Sequence, residues 1–145
     1  HDALPLTLCT FAAYRIITVA QALEAALANG VSIELILETP ENSHFDPADA
    51  FERDLLAQSH VFVWPRDNRA EKGQGRRGSL HAKFALADAS ALFLSSANLT
   101  EHALRLNMEL GVLIKGGSLP PRLRAHLNYL VSDGHLMRRS KSVWC

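Results

Sequence analysis

The sequence is poor in cysteine. Its 145 residues include only Cys9 and Cys145, which lie at opposite ends of the chain with no second cysteine near either. That spacing excludes a paired-cysteine redox motif and a zinc knuckle. It also argues against a disulfide framework, so a reducing, cytoplasmic setting is expected. Long hydrophobic runs are missing too, and no segment reaches the length of a helical membrane span. Charge of one sign is absent as well. Lys plus Arg number 15 and Asp plus Glu number 15, for a net charge of zero with neutral histidines. Coating nucleic acid by bulk charge is therefore not expected, although a local basic patch is compatible with this balance. What remains is ordinary for a globular protein, at 48% hydrophobic and 21% charged residues, and excludes a disordered tail, a collagen-like fibre and a charge-driven coiled coil. The length suits a single domain over residues 1–145. No secretory signal is legible at the start, and a first residue of His1 rather than Met is expected of a fragment or a processed chain.

The apolar pattern alternates between strand and helix periods. Leu4 to Thr10 is β-prone. Ile16, Val19, Ala20, Leu23, Ala26 and Leu27 recur at three and four and predict a helix to Asn29, with Gly30 as its left-handed cap. Val31 to Leu37 then predicts a strand, and the three together form a βαβ unit. Asp46-Pro47 should open a helix running to about Gln58, followed by a short buried strand over His60 to Trp64. Pro65 to Ser79 is polar and Gly-rich and predicts a flexible loop. Leu80 to Ala87 and Ala91 to Ala97 predict a hairpin around Asp88-Ala89-Ser90. A short helix over Leu99 to Leu106, a strand over Met108 to Ile114 and a helix opening at Ser118 complete the pattern. The expected fold is α/β, a mixed and mostly parallel sheet flanked by helices.

The stretch from His81 to Asp88 carries the chemistry. In an extended chain residues i and i+2 face the same way, so His81 and Lys83 should stand side by side. A nucleophilic imidazole beside a fixed cation suits a phosphoryl group, the nitrogen attacking phosphorus while the ammonium neutralises its oxygens. Ser96 and Asn98, again two apart, can donate hydrogen bonds to the same oxygens. Glu109 is a candidate to accept a proton from the far nitrogen of His81, fixing its tautomer. Asp88 falls on the opposite side of the strand at the hairpin tip and is expected to be a turn residue or to act behind the site. The chance of H-x-K-x₄-D with Ser and Asn at their places in this composition is roughly 1 in 30,000.

These residues resemble the phospholipase D superfamily, whose signature is H-x-K-x₄-D-x₆-G-S-x-N. The wording around Thr10 to Arg15, Gly30-Val31, Ile36 to Thr39, Ser96 to Glu101 and Asn107 to Val112 is most similar to the phospholipase-D-like proteins of bacterial DISARM antiphage defence systems. The resemblance implies that His81 is the nucleophile, Lys83 the phosphate-binding cation, Ser96 and Asn98 polar ligands, and Glu109 the carboxylate that orients the histidine. It implies no metal and no other cofactor. One departure is Ser95, where the family has Gly.

Of the 7 histidines only His81 is followed two residues on by Lys, so the sequence holds one copy of the motif. In-line two-step chemistry needs a second histidine, so a homodimer meeting at the active site is expected, the alternative being a degenerate second half outside the given sequence. Just before the motif, Arg66, Arg69, Lys72, Arg76, Arg77 and Lys83 outnumber Asp67 and Glu71, a local net charge of +4. Arg66, Arg69, Lys72, Arg76 and Arg77 are thus candidate nucleic-acid contacts. The expected function is a phosphodiesterase, a nuclease rather than a lipase, within a set of other defence proteins. The alternatives are a catalytically quiet nucleic-acid-binding or scaffolding subunit and, third, a phospholipase. Trp64 and Phe62 are expected in the core rather than stacked on bases.

Overall fold

The computed structural model describes residues 4–14, 16–42 and 45–141. His1, Arg15 and Cys145, named above, lie outside them. In chain order the elements are β1 (Leu6–Thr10), β2 (Ala13–Tyr14), α1 (Ile17–Ala28), β3 (Ile33–Leu37), α2 (Arg53–Gln58) and β4 (His60–Val63). There follow β5 (Phe84–Ala87), β6 (Ala91–Ser95), β7 (Leu99–Thr100), α3 (Glu101–Arg105), β8 (Gly111–Lys115), α4 (Leu119–Ser132) and β9 (Met137–Arg138).

Seven strands form one sheet in the order β8-β6-β5-β1-β3-β4-β9, and β2 pairs with β7 in a small parallel ribbon. The sheet is mixed and flanked by helices, so the α/β class holds. Its balance differs from the expectation of a mostly parallel sheet. Only β1–β3 and β3–β4 are parallel, while β1–β5, β5–β6, β6–β8 and β4–β9 are antiparallel. Parallel neighbours need a long crossover, and only α1 and the segment containing α2 supply one. From β5 onward a tight turn at Asp88–Ser90 reverses the chain into β6, and a longer link through β7 and α3 returns it antiparallel as β8.

Helix α1 ends as its sequence indicates. Gly30 has φ +79°, its N–H donates to Leu27 O at 2.9 Å and Val31 N–H donates to Ala26 O at 3.0 Å, which is a Schellman closure. The helix expected from Asp46 to Gln58 is broken. Asp46 caps as expected, its Oδ1 accepting from Ala48 N–H at 3.0 Å, but Pro47–Ala50 is a 3-10 turn and Phe51 is extended at φ −113° and ψ 145°. The start of the segment is held by Arg139, whose two terminal nitrogens reach Asp46 at 3.0 and 2.9 Å. Its end must bury Leu55 and Leu56. Anchors in different directions override a straight helix.

The core lies on both faces of the sheet. Leu23, Ile33, Leu35, Leu37, Phe51, Leu55 and Val61 fill one side, while Cys9, Ile36, Phe62, Phe84, Leu86, Leu92 and Leu127 fill the other. Central β3 is buried on both faces, and its sequence is accordingly a near-continuous apolar run. Phe62 is a core residue, as expected. Helix α4 is tied to the second face by Arg124, which donates to Glu34 at 2.8 Å and to Pro5 O at 3.2 Å.

Asp88 sits in the β5–β6 turn. Both Asp88 and Ala89 have φ +50°, and Ser90 N–H closes the turn on Ala87 O at 2.9 Å. Positive φ at two central positions is the signature of a type I′ turn, which favours Gly at the second. Ala89→Gly is expected to stabilise the protein by about 1 kcal/mol. A urea-denaturation midpoint that falls instead would contradict this.

Candidate active site

The candidate residues collect at one edge of the sheet. Strands β1, β3 and β4 all end there, and antiparallel β5 begins there, since Cys9 pairs with Phe84. Phe11, Glu38, Trp64 and the segment 80–83 are brought to this edge from positions far apart in the sequence.

His81 and Lys83 precede β5 rather than lying inside it, yet they face the same way. Lys83 Nζ is 3.1 Å from His81 Nδ1 and donates to His81 O at 2.9 Å. The Phe11 ring packs beside the imidazole, with centroids 5.3 Å apart. Because an ammonium only donates, Nδ1 accepts from Lys83, which leaves the ring proton of a neutral His81 on Nε2. Three bonds hold this off-ladder segment. Leu80 N–H donates to Glu38 Oε2 at 2.8 Å, Ser95 N–H donates to Lys83 O at 3.2 Å, and Cys9 Sγ donates to Ala82 O at 3.5 Å. Burial pushes the Cys9 thiol up to about 12, Lys83 offsetting this only in part. Cys9 is thus a neutral support and not a second nucleophile.

Ser96 and Glu109 meet. Ser96 Oγ donates to Glu109 Oε2 at 2.5 Å, Asn107 Nδ2 donates to Oε1 at 3.1 Å, and Leu110 N–H donates to Ser96 Oγ at 3.1 Å. The Ser96 hydroxyl, then the Asn107 amide and, at longer range, Lys83 hold the Glu109 carboxyl below its ordinary value. Glu109 is therefore a carboxylate. The contact expected between Glu109 and His81 is not made within the chain. The β6–β8 register continues past Ser95 and Gly111, Ser96 N–H donating to Leu110 O at 3.0 Å, and so brings Ser96 close to Glu109, the neighbour of Leu110.

Asn98 follows in a loop tied to β1, where Leu99 N–H donates to Thr10 Oγ1 at 3.3 Å. Its Oδ1 is buried without a partner. Ser95 carries no positive φ, so a side chain fits where the family has Gly. Its Oγ accepts from Ala97 N–H at 3.0 Å. Asp88, at the far end of β5, is a turn residue.

The basic loop is tied at several points by arginine hydrogen bonds, and its cations divide. Arg69 is 3% exposed, so it is corrected from a nucleic-acid contact to an internal residue. It pairs with Glu38 at 2.5 Å, with neither side chain exposed, and donates to Trp64 O at 3.0 Å and Gly78 O at 3.0 Å. A guanidinium has donors in a fixed fork, which suits it to several acceptors at once. It lies 4.9 Å from the Trp64 ring centre. Trp64 is half-buried against the second core cluster. Arg77 braces the loop through Glu71 at 3.3 Å and Arg66 O at 3.1 Å, and Arg66 donates to Gly75 O at 2.9 Å. Lys72 and Arg76 stand exposed beside the tip, where Gly73, Gln74 and Gly75 have φ +63°, +55° and +70°. Phe11, Cys9 and Glu38 are site residues that the spacing arguments missed. Glu38 had one legible sign, a carboxylate directly after the apolar run Leu35–Leu37.

Among the described residues no group of three or more His, Cys, Asp or Glu is placed to hold a metal, and no helix is long and apolar enough to cross a membrane.

Residues 6–131 match the family described as "Cardiolipin synthase, PLD-like domain". The chain belongs to this family of phospholipase-D-like proteins. It is 33% identical over 94 residues to the DISARM protein DrmC of Bacillus paralicheniformis, a match covering 65% of this chain and 36% of that protein. The chain thus spans little more than a third of this relative's length. Among solved structures, NucT from Helicobacter pylori superposes with a TM-score of 0.65 at 19% identity, covering 93% of this chain and 82% of that one. Nuc from Salmonella typhimurium superposes at 0.59 and 19% identity, covering 92% and 79%. Phosphatidylserine synthase from Haemophilus influenzae superposes at 0.61 and 20% identity, covering 95% of this chain and 34% of that one. At these identities the structures establish a shared fold.

The division of the loop cations predicts two different outcomes. Arg69→Met leaves Glu38 buried and unpaired and should cost about 3–5 kcal/mol at neutral pH. Burial pushes the Glu38 carboxyl up, but Arg69 and the N–H groups of Thr39 and Leu80 outweigh it and hold it below 4.5. Its folded-state stabilisation is therefore present above that value and is lost as pH falls through the lower folded one. In the variant burial is no longer outweighed and Glu38 protonates at higher pH, so the difference between wild type and variant, followed by urea denaturation, should narrow steadily as the pH falls, first as the variant's and then as the wild-type carboxyl takes up its proton. A difference that is constant with pH contradicts this. Lys72→Gln with Arg76→Gln should leave stability within about 0.5 kcal/mol of wild type.

Proposed function

We propose that the protein is a metal-independent phosphodiesterase that cleaves nucleic acid in antiphage defence, through a phosphohistidine at a site shared by two protomers. The observation that carries this reading is the His81–Lys83 pair, held side by side at an exposed edge of the sheet with 3.1 Å between the imidazole and the ammonium.

A bound phosphate oxygen competes for the Lys83 ammonium. Releasing Nδ1 from Lys83 lets the ring change tautomer, so that one nitrogen presents its lone pair to phosphorus. That nitrogen attacks, the P–N bond forms, and the P–O bond to the leaving alcohol breaks. A second histidine gives the leaving oxygen its proton. The same histidine then takes a proton from water, whose oxygen attacks phosphorus, breaks the P–N bond and releases a phosphomonoester. Lys83, Ser96 and the Asn98 amide stabilise the developing charge, which is the task a metal performs elsewhere.

Three features support a second copy as the source of the other histidine. The sequence holds one such motif. The described contacts of the His81 ring are Lys83 and Phe11, and among the described residues no carboxylate hydrogen-bonds to it. The ionised Glu109 is flanked by Met108 at 101% and Leu110 at 77% relative exposure, an apolar surface suited to burial between protomers. Two copies meeting there would exchange orienting carboxylates.

Nucleic acid rather than lipid is supported by Lys72 and Arg76 on the loop that leads into the segment 80–83. The likeness to the DISARM protein supports a defence setting, with a cytoplasmic location.

Labelled DNA, RNA and phosphatidylcholine vesicles should be assayed in EDTA. Nucleic acid is expected to be cleaved without added metal, and His81→Ala should lower the rate on the order of 10³-fold or more. Loss of activity in EDTA with recovery in Mg²⁺ would falsify the metal-free mechanism, and cleavage of vesicles alone would overturn the substrate. When His81→Ala is mixed with wild type, activity should fall as the square of the wild-type fraction, whereas a linear fall means that each chain works alone. For Lys72→Gln with Arg76→Gln, the slope of log affinity against log salt should drop by about 1–2. An unchanged slope removes these residues from the interface.

A further inference from the structure

Segment 80–83 carries the reacting groups but takes no part in the regular ladder of the sheet. Strand β5 begins only at Phe84. Something other than the ladder must fix the backbone on the N-terminal side of His81, and the structure supplies one bond there, from Leu80 N–H to Glu38 Oε2 at 2.8 Å.

Glu38 is fully buried at the end of β3 and is saturated with donors. Oε1 accepts from Thr39 N–H at 2.7 Å and Arg69 at 2.5 Å, and Oε2 accepts from Arg69 at 3.1 Å and from Leu80. Arg69 in turn holds Trp64 O at the end of β4 and Gly78 O two residues before Leu80. The pair therefore joins the ends of two parallel strands to both ends of the basic loop. The loop is closed at Arg69 and Gly78 and hands the chain over at Leu80, one residue from His81. A loop carrying Gly73, Gly75 and Gly78 has large backbone freedom, which would otherwise reach His81 directly.

We propose that Glu38, fixed by Arg69, is a positioning residue for His81 that acts through the Leu80 amide and isolates the reacting segment from the motion of the basic loop. Attack on phosphorus demands placement within about 0.5 Å, and a misplacement of about 1 Å can cost on the order of 10²-fold in rate. The inference rests on the reading of His81 as the nucleophile. It makes Arg69 part of the machinery that holds the site, in place of a surface contact.

The test compares Glu38→Gln with a variant that weakens a second ion pair of the same strand. Glu34→Gln disrupts the bond to Arg124 at 2.8 Å, at the opposite end of β3. Both are assayed on bis(4-nitrophenyl) phosphate, well below their melting temperatures. Glu38→Gln should lower kcat by about 10- to 100-fold with KM within about threefold of wild type, and Glu38→Asp, which keeps the charge, should recover part of that loss. Glu34→Gln should keep kcat within about twofold. A Glu38→Gln kcat within twofold of wild type, or an equal loss in Glu34→Gln, overturns the proposal.

If Glu38→Gln does not fold, amide hydrogen exchange on wild type decides. The Leu80 amide should exchange as slowly as amides of β3, although it lies outside every strand. Exchange at the rate of Gly73 and Gly75 overturns the proposal. If wild type turns over no phosphodiester, the reading of the site fails first, and Leu80 exchange still reports on the clamp.

Discussion

The Glu38–Arg69 ion pair is the constraint around which the functional edge is arranged. Two opposite charges with no solvent exposure survive only if nearly every donor and acceptor is matched, and here they are. The cost of burying them is offset by bonds that reach the ends of β3 and β4, the start and finish of the basic loop, and the amide preceding His81. Removing either partner exposes the other to an apolar interior. The same matching favours this arrangement, since a loop conformation that moves these groups apart leaves buried donors and acceptors unpaired.

The fold divides labour along the sheet. On one side β1, β3 and β4 form a parallel block whose long connections bury the core. On the other, β5, β6 and β8 form an antiparallel block joined by one tight turn and by the link that carries β7 and α3. The candidate site lies where the two blocks meet, at the β1–β5 seam. This explains how residues from so many parts of the chain contribute. Phe11 comes from the end of a parallel strand, His81 and Lys83 from the approach to β5, Ser96 and Asn98 from the exit of β6, and Glu109 from the approach to β8. The antiparallel block is also where the apolar surface is left open, with Val112 and Leu113 of β8 at 54% and 56% relative exposure.

Much of this was legible in the sequence, for identifiable reasons. Local signals held wherever a residue type has one physical use. Gly30 closed α1, Asp46 capped its turn, and Asp88 marked the hairpin. The spacing of His81 and Lys83 also held, because i and i+2 share a face in any extended chain, in or out of a ladder. What failed was non-local. The proportion of parallel strands depends on connections that apolar periodicity does not reveal. The break at Phe51 depends on Arg139, far along the chain. Arg69 looked like its basic neighbours because charge counting cannot see burial, and Glu109 was assigned to His81 without the β6–β8 register that delivers it to Ser96.

The central claim is that the imidazole of His81 becomes covalently bonded to phosphorus. The most direct measurement is mass spectrometry of the full chain, quenched at neutral to alkaline pH during turnover of bis(4-nitrophenyl) phosphate, because a phosphorus–nitrogen bond to histidine is labile in acid. The account predicts a 4-nitrophenyl phosphoryl adduct that maps to His81, forms without added metal, and is absent from His81→Ala. Turnover with no adduct, or with an adduct on any residue other than His81, would contradict it.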